Sequence, residues 1–136
     1  MMERRDFLSI CAVAMGGVAV ADRSTASSTL FDSCQSEWQR VVEGLWVKNL
    51  WKQEQGAASI YRLEAHFEFA HRHPAGEFNF FVKGEICIDG VWYTPGQDLY
   101  MRPGSCHSGY AGSSGCEVLV VLPQPIIPLE KCVKSV

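Results

Sequence analysis

An alternating run that ends in two histidines constrains this chain more than any other feature. From Tyr61 to Phe69 the odd positions are Tyr61, Leu63, Ala65, Phe67 and Phe69, and the even ones are Arg62, Glu64, His66 and Glu68. A period of two marks a strand with one buried face. Carried forward, the same parity turns His71 and His73 inward and leaves His66 in water. A Pro74-Ala75-Gly76 turn follows, and Glu77 opens the next extended segment. Later, Arg102-Pro103-Gly104 reads as a turn that delivers His107. Three imidazoles and one carboxylate from two separated turns suit a single divalent metal. Iron, manganese, zinc, nickel and cobalt all accept that donor set.

The rest of the chain reads mostly as short strands. Phe31 to Gly44 is the exception, with Trp38, Val41, Val42 and Leu45 at the spacing of one short helix. Leu45 to Trp51 reads as a strand, and the Ser59–Phe69 strand follows a polar turn. Phe78 to Val82 is strongly β-prone, and Ile86 to Tyr93 is a hairpin turned by Asp89-Gly90. Leu99–Met101 and Glu117–Leu122 add two more strands before a proline-rich stretch from Pro123 to Pro128. Roughly seven or eight short strands with regular turn signals predict an all-β sandwich or small β-barrel. At 136 residues the chain has room for one domain with its own core. A net charge of -3 without a basic run gives no reason to expect nucleic acid as a partner.

The N-terminus reads as an address. Residues 1–21 combine Arg4-Arg5, an apolar run from Ile10, and a small-x-small ending in Ala19-Val20-Ala21. The paired arginines followed by Phe7-Leu8 resemble the twin-arginine export signal of bacteria. About a dozen apolar residues are too few to span a bilayer, which needs about 20, so no membrane anchor is expected after cleavage. The expected location is periplasmic or secreted. Residues 22–30 read as a small-residue linker and residues 31–136 as the single folded domain. Cleavage leaves Cys34, Cys87, Cys106, Cys116 and Cys132 in a compartment that permits disulfides. Cys106 with Cys116, and Cys34 with Cys132, are the candidate pairs, and the odd count leaves one over.

Two motifs then bring in a known family. His71-x-His73-x3-Glu77-x6-Gly84 resembles the first motif of the cupins, and Gly96-x5-Arg102-Pro103-Gly104-x2-His107 is similar to the second. The wording from Glu43 through Leu122 most resembles the ChrR-type cupins and their dioxygenase relatives. Ala65, Arg102 and Ala111 depart from the family pattern at positions that carry no ligand. The resemblance implies a double-stranded β-helix, or jelly roll, often a homodimer, and ligand roles for His71, His73, Glu77 and His107. The anti-sigma members carry a helical domain where this chain has its export signal, so that role is not expected here.

A metal with four protein ligands keeps about two positions open when six-coordinate, enough for a small oxygenated molecule. The expected function is a mononuclear, Fe-type dioxygenase-like enzyme. Its alternatives are a non-catalytic cupin that senses or binds a small molecule, and a domain whose metal serves stability only. Tyr61, Phe67, Phe69, Phe81 and Trp92 read as core aromatics. Tyr100 and Tyr110, which flank the His107 turn, are the candidate polar groups of the pocket, with Glu77 the other catalytic candidate. Arg102 is expected to point to solvent.

Overall fold

The computed structural model describes residues 23–25, 28–30, 35–54 and 56–122. The expected signal peptide, Cys34, Cys132 and the proline-rich stretch lie outside the described residues. Among those described, every regular element is a strand. β1 (Arg23–Thr25) and β2 (Ser28–Leu30) pair antiparallel within the stretch read as a linker. The main sheet contains β3 (Gln39–Val42), β4 (Leu45–Gln53), β5 (Gly56–Leu63), β6 (Glu68–Arg72) and β7 (Glu77–Ile88). It is completed by β8 (Val91–Tyr93), β9 (Asp98–Met101) and β10 (Cys106–Leu122). The order is β3-β4-β5-β10-β7-β8, with β6 also on β10 and β9 also on β7.

β7 and β10 are the long strands, and they form the spine of the fold. The first part of β10 pairs with β6 and with the end of β7, and its last part pairs with β5 and with the start of β7. The two strands therefore leave one sheet and enter the other together. They turn at a register shift between Ala111 and Cys116 on β10, opposite Gly84 on β7. Gly84 and Gly115 both have φ of +70° there, and a Cβ on Gly84 would run into the carbonyl of Gly115. No side chain fits at that crossing, so the bend depends on glycine. The result is a jelly-roll β-sandwich: the turn spacing predicts the sandwich, and the family resemblance implies the jelly roll.

Inward residues of both sheets build one core. Leu45, Val47, Leu63, Phe81, Ile86, Ala111 and Val118 are buried within it, and Tyr61, Phe67 and Phe69 pack against its edge. The predicted helix over Phe31–Gly44 is not present in the described residues 35–44. Val41 and Val42 end β3, and a Glu43-Gly44 turn with Gly44 at φ +80° leads straight into β4. Two adjacent β-branched residues before a turn glycine favour a hairpin over a helix, whatever their spacing. The Ser59–Phe69 strand is in fact two strands, β5 and β6, divided at His66 with φ of 62°. Phe67 N–H closes the turn on the carbonyl of Glu64. Asp89 (φ 48°) and Gly90 (φ 82°) form the predicted hairpin turn.

Gly84→Ala should destabilise the fold by about 2–4 kcal/mol, combining left-handed strain with the clash at the crossing. Urea unfolding should show a lowered midpoint with an unchanged slope.

Candidate metal centre

The β6–β10 ladder builds the centre. His71 and His107 are direct cross-strand partners, so their side chains rise from neighbouring positions on the same face. His73 lies just beyond the end of β6 and is held by the second motif's turn. Its N–H donates to the carbonyl of Ser105 at 2.8 Å, and Gly104 N–H donates to the carbonyl of His73 at 2.6 Å. Gly104 has φ of +81° in that turn, and Ser105 N–H closes it on the carbonyl of Arg102 at 3.0 Å. All three imidazoles are buried. His66 is exposed, as its parity predicts, Arg102 is exposed as expected, and Cys106 is exposed as well.

The ring nitrogens converge. Nε2 of His73 lies 3.1 Å from Nε2 of His71 and 3.4 Å from Nε2 of His107. A neutral imidazole nitrogen offers either one proton or one lone pair, so Nε2 of His73 can satisfy one neighbour and not both. A cation accepting all three lone pairs satisfies every nitrogen at once. Metal–nitrogen bonds of about 2.1 Å would set such nitrogens about 3.0 Å apart in octahedral geometry and about 3.4 Å apart in tetrahedral geometry. The two observed separations match that range. His71, His73 and His107 thus form a group that fits a metal ion.

Electrostatics keeps the donors in the form a metal needs. Burial, and then the neighbouring imidazoles of His107 and His73, hold His71 well below the usual histidine range. Burial, and then His73, lower His107 to about 4, although Glu77 and Asp89 pull the other way. Both rings are therefore neutral at neutral pH, with lone pairs available.

Glu77 stands one ring further out than the sequence suggests. Its Oε2 lies 3.3 Å from Nδ1 of His73, on the opposite side of that ring from the converging nitrogens. When Nδ1 carries the proton and donates to this carboxylate, Nε2 keeps its lone pair for the centre. Asn79 Nδ2 in turn donates to Oε1 of Glu77 at 3.1 Å. Sequence reasoning missed Asn79, although its place two residues after Glu77 puts it on the same inward face. Ser105 was also missed. It lies opposite His73 and two residues before His107, and its Oγ is buried without a hydrogen-bond partner. Phe69 flanks the group, its ring centroid 5.7 Å from those of both His71 and His107.

The two tyrosine candidates lie elsewhere. Tyr110 is on the opposite face of β10 from His107, stacked edge-on against Trp92 and bonded to the thiol of Cys87. Tyr100 is half exposed, and its hydroxyl lies against Gly76 on the outside of the metal turn. The pairing of Cys106 with Cys116 is overturned: Cys116 is a free thiol, while Cys106 is disulfide-bonded. Both sit on β10, ten positions apart on one extended strand, which places them far beyond disulfide reach. Burial pushes the Cys116 thiol up to about 12, so it stays protonated and unreactive.

Comparison with known proteins agrees with this architecture. The ChrR cupin-like domain matches residues 26–125. No curated protein matches the chain. An RmlC-like cupin from Shewanella frigidimarina NCIMB 400 shares 22% identity at a TM-score of 0.60, over 74% of this chain and 92% of its own. A putative acetylacetone dioxygenase from Methylibium petroleiphilum PM1 shares 16% at a TM-score of 0.63, over 78% of this chain and 90% of its own. The structure of Rhodobacter sphaeroides SigE in complex with the anti-sigma ChrR matches at 14% and a TM-score of 0.60, over 65% of this chain and 50% of that one. These likenesses describe the fold.

His73→Ala should abolish stoichiometric metal binding and His66→Ala should leave it intact, as read by elemental analysis of the purified protein. Asn79→Ala should weaken metal affinity about tenfold or more, measured by chelator competition. The unfolded chain binds protons at its histidines from pH 6.5 downward, whereas His107 in the fold resists them until about pH 4. Stability of the metal-free protein should therefore be complete above pH 6.5 and fall between that pH and about 4. Metal release should follow the same window.

Proposed function

Because the chain belongs to the family of ChrR cupin-like domains, we propose that it is an exported, mononuclear metalloprotein. Its activity is that of a dioxygenase on a small oxygenated organic molecule such as a β-diketone or hydroxyketone. The observation that carries this reading is the convergence of three buried imidazole nitrogens on one point. A divalent metal held there would act as a Lewis acid on a carbonyl or enediol oxygen, and iron would add oxygen activation.

The chain's own residues supply the rest. His71, His73 and His107 orient the centre, and Phe69 packs beside two of the rings and keeps water from that side. Glu77, held by Asn79, is placed to accept a proton from Nδ1 of His73. For Glu77 to ligate the metal or to take a proton from a bound molecule, its carboxylate must leave that contact. Ser105 Oγ, on the face of His73, is placed to donate a hydrogen bond to a ligand oxygen. The wall beyond Glu77 is polar too: Asn49 and Ser59 are cross-strand partners joined at 3.0 Å, at the level of Asn79. Hydrogen-bonding groups on an inner wall suit an oxygenated ligand better than a hydrocarbon.

Export rests on the N-terminal residues. Glu3-Arg4-Arg5-Asp6-Phe7-Leu8 supports the twin-arginine route, which carries folded proteins and so lets the metal be chosen in the cytoplasm. Outside, copper and zinc would otherwise outcompete iron or manganese for the same nitrogens. The protein is taken to work as a homodimer. A non-catalytic binding role is the second reading, favoured by the fit of the anti-sigma ChrR to the same fold.

Protein recovered after export from its own cell should hold one iron per chain and consume oxygen with a β-diketone or a phenolic ketone. His107→Ala should lose the metal and the oxygen uptake together. Iron bound with no oxygen uptake on any such compound would move the assignment to the binding role.

A further inference from the structure

The start of β10 carries His107 and is held on both sides by different means. On one side β6 pairs with it rung by rung, His107 with His71, Ser108 with Ala70 and Gly109 with Phe69. On the other side β7 follows it only as far as Ile88 opposite Gly109, and the chain then leaves through the Asp89-Gly90 turn into β8. The next rung, Ser108 against Asp89, forms all the same. Asp89 N–H donates to the carbonyl of Ser108 at 2.9 Å, as in an ordinary ladder. The return bond is different: Ser108 N–H donates to Oδ1 of Asp89 at 3.0 Å. In a hydrogen-bonded antiparallel pair each residue exchanges both main-chain bonds with its opposite. With φ of 48°, Asp89 has turned out of the ladder. Its side-chain oxygen stands where a strand residue would present its carbonyl.

That rung adjoins a candidate metal ligand. The Ser108 N–H belongs to the rigid peptide plane that leaves the Cα of His107, so holding it fixes the ψ of His107 and the direction of its side chain. The carboxylate of Asp89 also acts on the His107 ring through space, drawing it toward the charged form, so the two groups lie close. We propose that Asp89 is a positioning residue of the metal centre. Its exposed carboxylate replaces a missing main-chain acceptor and fixes the peptide of His107, so that the ring reaches Nε2 of His73 at 3.4 Å. The inference rests on the metal-centre reading given above and adds a residue outside the ring of ligands. Glu77 acts on His73 through its imidazole, whereas Asp89 acts on His107 through its main chain. Turn chemistry alone does not ask for a carboxylate here. Glycine and asparagine suit the left-handed position of the turn equally well, and of the three only glycine lacks an acceptor.

Two exchanges separate the acceptor from the turn. Asp89→Gly keeps the turn and removes the acceptor, and Asp89→Asn keeps both and removes the charge. The probe is cobalt(II) on the purified full chain, read by chelator competition and by the visible absorption of the bound ion. Thermal unfolding of the metal-free form checks the fold. Asp89→Gly should weaken cobalt affinity about tenfold or more, as loss of a supporting partner does, and should alter the absorption of the bound ion. Asp89→Asn should bind within about threefold of the original and keep its spectrum, because an exposed charge contributes little. An Asp89→Gly chain that is less stable yet binds cobalt with the original affinity and spectrum makes Asp89 a turn residue only and overturns the inference. Failure of Asp89→Asn to retain the affinity overturns the acceptor role. Both of these results leave the metal-centre reading standing. An original chain that binds no cobalt overturns that reading and this inference with it.

Discussion

The main-chain ladder between β6 and the start of β10 governs the rest of the molecule. It makes His71 and His107 cross-strand neighbours, and its continuation ties His73 to Ser105 and Gly104. Backbone hydrogen bonds set that register, so the positions of the imidazoles follow from the fold and not from a flexible loop. A slip of β6 by one residue would send His71 and His73 to the outer face and leave His107 inside. The spine of β7 and β10 holds the ladder in place, and the spine bends between the two sheets at Gly84 and Gly115.

Burial then does the chemical work. Three imidazoles whose ligand nitrogens all lie within 4.8 Å of one another would repel if charged, and burial already disfavours the charged form. Both effects lower His71 and His107, and the outcome is a set of neutral donors. Glu77 compensates at the far side of His73, where a carboxylate can accept the Nδ1 proton, and Asn79 holds that carboxylate in turn. The centre is thus a ring of nitrogens backed by a short polar chain. Such an arrangement suits a metal site whose supporting residues decide its orientation.

Much of this was legible in the chain because a strand writes its burial pattern with a period of two. The parity of Tyr61, Leu63, Ala65, Phe67 and Phe69 placed His71 and His73 inside and His66 outside, and the structure agrees for the histidines while Ala65 is exposed. It did so although the run is broken at His66, because the turn there leaves both flanks in phase. The same local logic failed over the described residues 35–44 of the predicted helix: helical spacing is also what a hairpin yields when Val41 and Leu45 bury from its two arms. The tyrosines failed for a different reason. Nearness to His107 in sequence says nothing about which face of β10 or β9 a ring occupies, and three residues along a strand reverses the face.

By itself, then, the sequence determined the fold class, the two metal motifs and the inward turn of the three histidines, because periodicity and turn chemistry are local properties that each short segment carries. Only the tertiary structure decided that Glu77 meets Nδ1 of His73, that Asn79 supports it, and that Cys106 and Cys116 lie apart on one strand. Those relations join residues from separate strands, and a strand's own pattern does not name its neighbours or their register. Both are set when the sheets close around a shared core.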